Sequence, residues 1–97
     1  MEASVPLVIS PEIRAKLKIK HSVEESEVIE AFANRERGFL IDIREEHLTD
    51  PPTEWFVAET DRGRKLKICF VRTNGNIYLK TAYTAESHIV NIYERHA

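Results

Sequence analysis

The chain has 97 residues, of which 42% are hydrophobic and 31% are charged, and we expect a single domain, residues 1–97, with one modest core. Its one cysteine, Cys69, excludes an internal disulfide and fits a reducing compartment, so a cytoplasmic location is expected. Residues 1–10 lack a basic region and a long apolar run, which argues against a signal peptide and against a membrane partner.

Charge is distributed unevenly along the chain, although the formal net charge is only −2. Residues 12–21 carry four lysines and arginines against one acid, residues 22–61 carry twelve acids against three bases, and residues 62–80 carry six bases and no acid. If the two basic segments meet in space, they form a positive patch that a polyanion could use. Charge alone favours the alternative, in which these are ordinary solvated faces.

Two helices are predicted before the first long strand. Residues 3–9 fit a short strand or an arm, and residues 10–12 (Ser-Pro-Glu) are a helix start with a capping serine and a proline in the first turn. Residues 13–20 alternate apolar and basic, as a strand would, but the cap favours a helix. Residues 22–25 (Ser-Val-Glu-Glu) predict a capping box for the second helix, which ends near Asn34.

A strand is predicted to begin at Gly38, because apolar and polar residues alternate after it. Asp42 is expected on the outer face of this strand. The inward residues are Phe39, Ile41 and Ile43. Residues 45–54 are predicted to form a polar loop, since two consecutive prolines cannot sit in a strand ladder.

Two tight turns predict three antiparallel strands over residues 55–83. Residues 74–75 (Asn-Gly) are a type I′ hairpin signal, which extends to a pairing of Cys69 with Lys80. Residues 62–63 (Arg-Gly) are interpreted as a second two-residue loop, which pairs Glu59 with Leu66. This register predicts an apolar face and a mixed face. The apolar face comprises Trp55, Val57, Leu66, Ile68, Phe70, Ile77 and Leu79, and the mixed face comprises Phe56, Ala58, Thr60, Lys65, Lys67, Cys69, Tyr78 and Lys80.

A final helix is predicted after Thr84, with Ile89, Ile92 and Tyr93 on one stripe. The expected fold class is therefore α+β, with two N-terminal helices, a four-stranded antiparallel meander sheet and a C-terminal helix.

Motifs for common catalytic and cofactor sites are absent: the sequence has no Gly-rich phosphate loop, no GxSxG and no CxxC. Residues 45–47 (Glu-Glu-His) offer metal ligands, but adjacent residues point in different directions, so a solvated loop is the favoured interpretation. Neither a metal nor a cofactor is expected. Cys69 is interpreted as a small core residue rather than a nucleophile.

Cationic and proton-transferring side chains occur at three predicted junctions. Lysine and arginine bind phosphate and stabilise a pentavalent oxyanion, while histidine or tyrosine moves protons to and from the reacting oxygens. These residue types suit a ribonuclease that needs no metal, although unrelated surface cations are the alternative. The catalytic candidates are Lys20, His21, Arg64 and Tyr83, and the candidates for binding RNA phosphates are Arg62, Lys65, Lys67 and Lys80.

Three segments, taken in order, resemble the BrnT group of RelE-like toxins from bacterial toxin–antitoxin pairs and closely related uncharacterised families. Residues 20–25 (KHSVEE) are similar to that group's lysine–histidine–glycine–valine segment and the acid-rich helix after it. Residues 61–64 (DRGR), followed by LKICFVR, resemble its arginine–glycine–arginine hairpin and central strand. Residues 76–83 (NIYLKTAY) and the helix ending IYERHA resemble its last strand and terminal helix.

The resemblance implies a RelE-like fold, hydrolysis of RNA, and neutralisation by a DNA-binding antitoxin protein. The residues onto which it carries roles are Lys20, His21, Arg62, Arg64 and the end of the last strand. Two positions depart from the BrnT pattern: Tyr83 stands where arginine is common, and Ser22 stands where glycine is common. The group's N-terminal strand with its aspartate is also not recognisable in residues 3–10.

The expected function is that of a metal-independent ribonuclease toxin whose partners are RNA and an antitoxin. The alternative is a non-catalytic domain of the same fold that binds a protein partner through its basic hairpin, and association of the chain with itself is left open. Some chains of this appearance carry an ADP-ribosyl-(dinitrogen reductase) hydrolase label. That activity has no support in this sequence, because true ADP-ribosylhydrolases are all-helical, far longer and dependent on carboxylate-bound magnesium.

Overall fold

The secondary structure comprises three helices and five strands in a computed structural model, which describes residues 6–44 and 48–97. The elements are, in chain order, β1 (Leu7–Val8), α1 (Pro11–His21), α2 (Glu25–Ala33), β2 (Leu40–Ile41), β3 (Thr53–Glu59), β4 (Lys65–Thr73), β5 (Asn76–Thr84) and α3 (Ser87–His96). None of the helices in these ranges is long and apolar enough to cross a lipid bilayer.

The five strands form one sheet in the order β1-β5-β4-β3-β2. The α+β class with three helices is confirmed. The predicted four-stranded antiparallel meander is wrong, because β1 adds a fifth strand and pairs with β5 in parallel, which makes the sheet mixed. The β2–β3, β3–β4 and β4–β5 pairs are antiparallel, and short loops join β3 to β4 and β4 to β5.

Local capping explains where α1 ends and α2 begins. Ser10 caps α1 by accepting a hydrogen bond from the Ile13 amide at 3.2 Å. Ser22 ends α1 in the left-handed region, with φ of 54°. The predicted capping box at residues 22–25 is wrong, because Glu24 is the N-cap of α2 and its amide donates to the Glu27 carboxylate at 2.9 Å.

The loop between β3 and β4 has three residues rather than the predicted two. The Thr60 amide donates to the Arg64 carbonyl, and the Gly63 amide donates back to the Thr60 carbonyl, both at 2.9 Å. Gly63 has φ of 85°, a conformation that suits the last position of a three-residue hairpin loop. The extra loop residue shifts the pairing by one, so Ala58 lies opposite Leu66.

This shift moves the side chains of β3 to the opposite face from the one predicted. Phe56 contacts Phe32 of α2, with ring centroids 4.8 Å apart, whereas Trp55 contacts Tyr93 of α3 at 5.8 Å. Helices α2 and α3 therefore cover opposite faces of the sheet. The α2 face carries Phe56, Ala58, Leu66, Ile68, Phe70, Leu79 and Ala82, and the α3 face carries Trp55, Val57, Lys65, Lys67, Cys69, Thr81 and Tyr83.

Two further registers differ from expectation. The Asn74-Gly75 turn and its first pairs are confirmed, but a β-bulge after Cys69 makes Lys80 an extra residue, so Cys69 pairs with Thr81. In the strand after Gly38, Phe39 packs against the core as predicted. Further along, the expected orientation is wrong, because Asp42 is only 7% exposed and Ile43 is 80% exposed. The salt bridge from Arg44 to Asp42 allows this carboxylate to be buried.

Candidate functional site

Three predicted site residues meet on the α3 face: His21 from the end of α1, Tyr83 from β5 and Lys67 from β4. The ring centroids of His21 and Tyr83 are 5.5 Å apart. The Lys67 Nζ atom lies 5.8 Å from the centroid of the Tyr83 ring. Lys67 and Tyr83 are also opposite each other in the β4–β5 ladder, which fixes their separation. We call these three residues the central group.

Lys67 is the most unusual member of the central group, because it is a lysine that is only 6% exposed. Its Nζ atom also lies 4.7 Å from the centroid of the Trp55 ring, so two aromatic faces flank the ammonium group. Among the described residues, no ion pair or hydrogen bond involves this ammonium group. Its positive charge is therefore not neutralised by an acidic side chain of the described residues.

Arg64 holds the chain that carries His21. Each of its three guanidinium nitrogens donates a hydrogen bond: to the carbonyl oxygens of His21 (3.0 Å) and Ser22 (2.8 Å), and to the Thr84 hydroxyl (3.0 and 3.1 Å). It also forms a salt bridge with Glu27 at 3.2 Å. The guanidinium thus joins the end of α1, the first turn of α2 and the end of β5, and its donors are directed at protein acceptors.

A second cluster, formed by Asp42, Arg44 and Cys69, adjoins the central group. Arg44 binds Asp42 through two nitrogens, at 3.1 and 2.8 Å, and these hydrogen bonds raise the pKa of the Arg44 guanidinium above its ordinary value. The Arg44 charge also interacts with Tyr83 and Cys69. Burial raises the pKa of the Cys69 thiol, so the thiol stays protonated near neutral pH, as expected for a core residue.

The other predicted site residues lie away from the central group or at its margin. Lys65 is exposed on the α3 face, two residues before Lys67. Lys20 is exposed in the last turn of α1, and Lys80 is exposed at the β-bulge. Arg62 lies at the β3–β4 loop in a cleft whose lining includes several glutamates, namely Glu24, Glu27 and Glu30.

Trp55, Asp42 and Arg44 belong to this region of the α3 face but were not predicted to take part in it. Trp55 was placed on the opposite face because the β3–β4 loop was taken to be one residue shorter. Asp42 was expected on an outer face, and no sequence signal distinguishes it from a solvated acid. Burial of β3 on both faces removes the alternation that would have revealed the correct register.

A cavity of about 760 Å³ lies along β3, between the end of α2 and α3. Of the predicted site residues, only Lys65 lines it. Its arginines are already engaged: Arg35 stacks on Phe39, and Arg37 donates to the Glu94 and Ala97 carbonyls. We therefore locate the candidate site at the central group rather than in this cavity.

Within residues 6–44 and 48–97, no three His, Cys, Asp or Glu side chains are close enough to hold a metal ion. Residues 45–47, considered above as metal ligands, lie outside the described residues. Comparison of the chain with protein-family models, with curated proteins and with solved structures gives no significant match. The function is therefore argued from the chemistry of the central group.

Proposed function

We propose that this chain is an endoribonuclease that cleaves RNA without a metal ion, and that the central group is its active site. The observation that carries the proposal is the convergence of a largely buried ammonium group, which has no acidic partner among the described residues, with a tyrosine and a histidine. Cleavage of RNA by its own 2′-hydroxyl needs a cation at the phosphate and two groups that move protons. Lys67, His21 and Tyr83 supply these three functions.

In the proposed reaction, the His21 imidazole removes the proton from the ribose 2′-hydroxyl. The 2′-oxygen then attacks phosphorus, and the bond from phosphorus to the 5′-oxygen breaks. Tyr83 donates its phenolic proton to that leaving oxygen, and the proton held by His21 later returns to Tyr83 through water. Lys67 stabilises the negative charge of the pentavalent phosphorus, which forms before the bond to the 5′-oxygen breaks. The products are a 2′,3′-cyclic phosphate and a 5′-hydroxyl.

Arg64 has a positioning role in this proposal rather than contact with RNA. Its hydrogen bonds to the His21 and Ser22 carbonyls fix the end of α1, and its bond to Thr84 fixes the residue after Tyr83. Loss of the guanidinium would let the imidazole and the phenol separate. Small displacements of catalytic groups reduce rates strongly, because the reacting atoms must be within contact distance.

We further propose that the chain is a RelE-like toxin related to the BrnT group, with an antitoxin protein as its partner. The order of two helices, successive antiparallel strands and a final helix supports the fold assignment. The KHSVEE and DRGR segments support the family, and the meeting of His21 with Tyr83 supports a shared site. Fold alone does not establish activity, so the central group has to be tested directly.

Induced expression in a bacterium tests the proposal. We expect growth arrest and degraded cellular RNA on expression of the wild type, and normal growth on expression of His21→Ala at the same level of folded protein. Growth arrest that persists in His21→Ala would refute the site assignment. Normal growth and intact RNA with folded wild-type protein would refute the toxin and would leave the protein-binding alternative.

A further inference from the structure

The outward side of α1 combines one exposed apolar side chain with several lysines. Ile19 is 81% exposed and lies one turn after Ala15, which is exposed too. The lysines emerge on both sides of this pair. We call the set the α1 ridge; it consists of Ala15, Lys16, Lys18, Ile19 and Lys20.

Ile19 lies outside the hydrophobic core. The residue of α1 that enters the core is Leu17, which is 1% exposed and lies on the opposite side of the helix. An exposed isoleucine adds nothing to core packing, and its β-branched side chain is slightly unfavourable in a helix. What distinguishes Ile19 from other exposed apolar residues is its position among the lysines of the α1 ridge.

The charges of the α1 ridge are also unused within the described chain. Arg14, at the margin of the ridge, pairs with Glu25 at 2.9 Å. In residues 6–44 and 48–97, no acid forms an ion pair with Lys16, Lys18 or Lys20. Three like charges within two turns repel each other, so an anionic partner would relieve that repulsion.

Two other exposed features of the described residues lack this combination. The hairpin arginine Arg62 shares its cleft with glutamates of the same chain, so its charge is balanced locally. Ile29 on α2 is 52% exposed, but no base lies one turn away from it on the helix, where the residues are Glu25, Ser26, Phe32 and Ala33. An apolar anchor surrounded by free cations occurs on α1.

We propose that the α1 ridge docks an acidic segment of a partner protein, with one bulky apolar side chain of that segment resting on Ile19 and its carboxylates facing the three lysines. Ile19 favours a protein over a nucleic acid, because a phosphate backbone offers no partner to an aliphatic side chain. Charge complementarity would steer the encounter and the apolar contact would slow dissociation. This docking does not depend on whether the central group cleaves RNA.

The test uses the full chain and a synthetic helical peptide rich in glutamate, with leucine on one side, together with a twin peptide in which serine replaces each leucine. We expect the leucine peptide to shift the amide resonances of residues 15–20 in nuclear magnetic resonance spectra. Ile19→Ser should weaken its binding at least about tenfold, as loss of an interface anchor does. The matched control, Ile29→Ser, should bind like the wild type, and the serine peptide should bind weakly to both.

Several results would overturn the docking proposal. Equal affinity of the wild type and Ile19→Ser, shifts outside α1, or no binding of the leucine peptide would each do so. A single-stranded RNA oligonucleotide that shifts residues 15–20 equally in both proteins would assign the ridge to nucleic acid instead. Self-association of the free chain that Ile19→Ser abolishes would assign the ridge to a second copy.

Discussion

At the scale of single residues, two cations that look alike in the sequence have different surroundings. Arg64 donates to backbone carbonyls, a hydroxyl and a carboxylate, and it connects three elements. Lys67 is buried between two rings and has no acidic partner in the described residues. These contacts give Arg64 a structural role and support the proposal that Lys67 binds an anion.

Replacement of Arg64 by lysine should destabilise the protein, although it keeps the charge. A single ammonium group cannot reproduce the planar fork of donors, so the His21 and Ser22 carbonyls would lose their partners. We expect the free energy of unfolding in urea to fall by about 1–3 kcal/mol. The matched change Arg62→Lys, at an exposed loop position, should alter it by less than about 0.5 kcal/mol. Equal unfolding midpoints for the two variants would contradict the structural role of the Arg64 hydrogen bonds.

Cys69 should make stability depend on pH in alkaline solution. Burial raises the thiol pKa in the folded state above the ordinary value of 9.0. Its contribution to stability is therefore complete below that pH and is lost as the pH rises through the folded-state pKa, because the unfolded chain releases the proton more readily. Tyr93, whose pKa burial also raises, contributes in the same direction.

The measurement compares urea unfolding of the wild type and Cys69→Ala at about pH 8 and about pH 10. The wild type should lose more stability than the variant over this interval, because the variant lacks the Cys69 contribution. Equal decreases in the free energy of unfolding of the two proteins would show that the Cys69 thiol has the same pKa in the folded and unfolded chains.

At the scale of elements, one loop residue determines that Trp55 lies on the same face as Lys67. The Asn74-Gly75 turn could be predicted because asparagine and glycine both accept positive φ, which a two-residue hairpin loop needs. Arginine at position 62 is a poor residue for such a turn, and the chain uses Asp61, Arg62 and Gly63 instead. Both loops contain a glycine, so glycine alone did not distinguish their lengths.

The apolar face predicted from the shorter loop was internally consistent and still wrong. β3 is buried from Thr53 to Ala58, on both faces, so either register gives a face with many apolar residues. The hydrophobic pattern specifies register only where one face is solvated. The contact of Lys67 with the Trp55 ring depends on this register, whereas the pairing of Lys67 with Tyr83 depends on the β-bulge after Cys69.

Gly63→Ala tests the three-residue loop. Alanine is strained at φ of 85°, so the variant should lose about 1 kcal/mol of stability in urea unfolding. Gly38→Ala is the matched control, because a Cβ atom there meets no atom within 4 Å and its φ is not in the left-handed region. It should leave stability unchanged within about 0.5 kcal/mol. A neutral Gly63→Ala would contradict the loop geometry.

At the scale of the whole molecule, the sequence predicted the α+β class, three helices and the final hairpin, all of which depend on local signals. It did not predict the parallel pairing of β1 with β5, because that contact joins residues about seventy positions apart and β1 has only two residues. For the site, short motifs indicated His21 and Tyr83, whereas the burial of Lys67 arises only when the sheet is assembled.

The folded chain separates two kinds of positive charge. Lys67 lies on the α3 face beside Tyr83, where an RNA phosphate is proposed to bind. Lys16 and Lys18 lie on the outward side of α1, where an acidic protein segment is proposed to dock. His21 ends the same helix, so a partner docked on α1 would lie beside the central group. The rest of the chain is rich in acids, which brings the net charge to −2. The overall composition therefore does not reveal either positive region.

The most direct test of the account is cleavage of a labelled single-stranded RNA by the purified chain in excess EDTA. We predict cleavage that leaves a 2′,3′-cyclic phosphate and that fails on the same strand made of DNA. Lys67→Met, which keeps the apolar stem between the rings, should reduce the rate at least about a hundredfold, while Lys16→Met should leave it unchanged. Intact RNA with the folded wild type, or equal rates for Lys67→Met and the wild type, would contradict the central group as an active site.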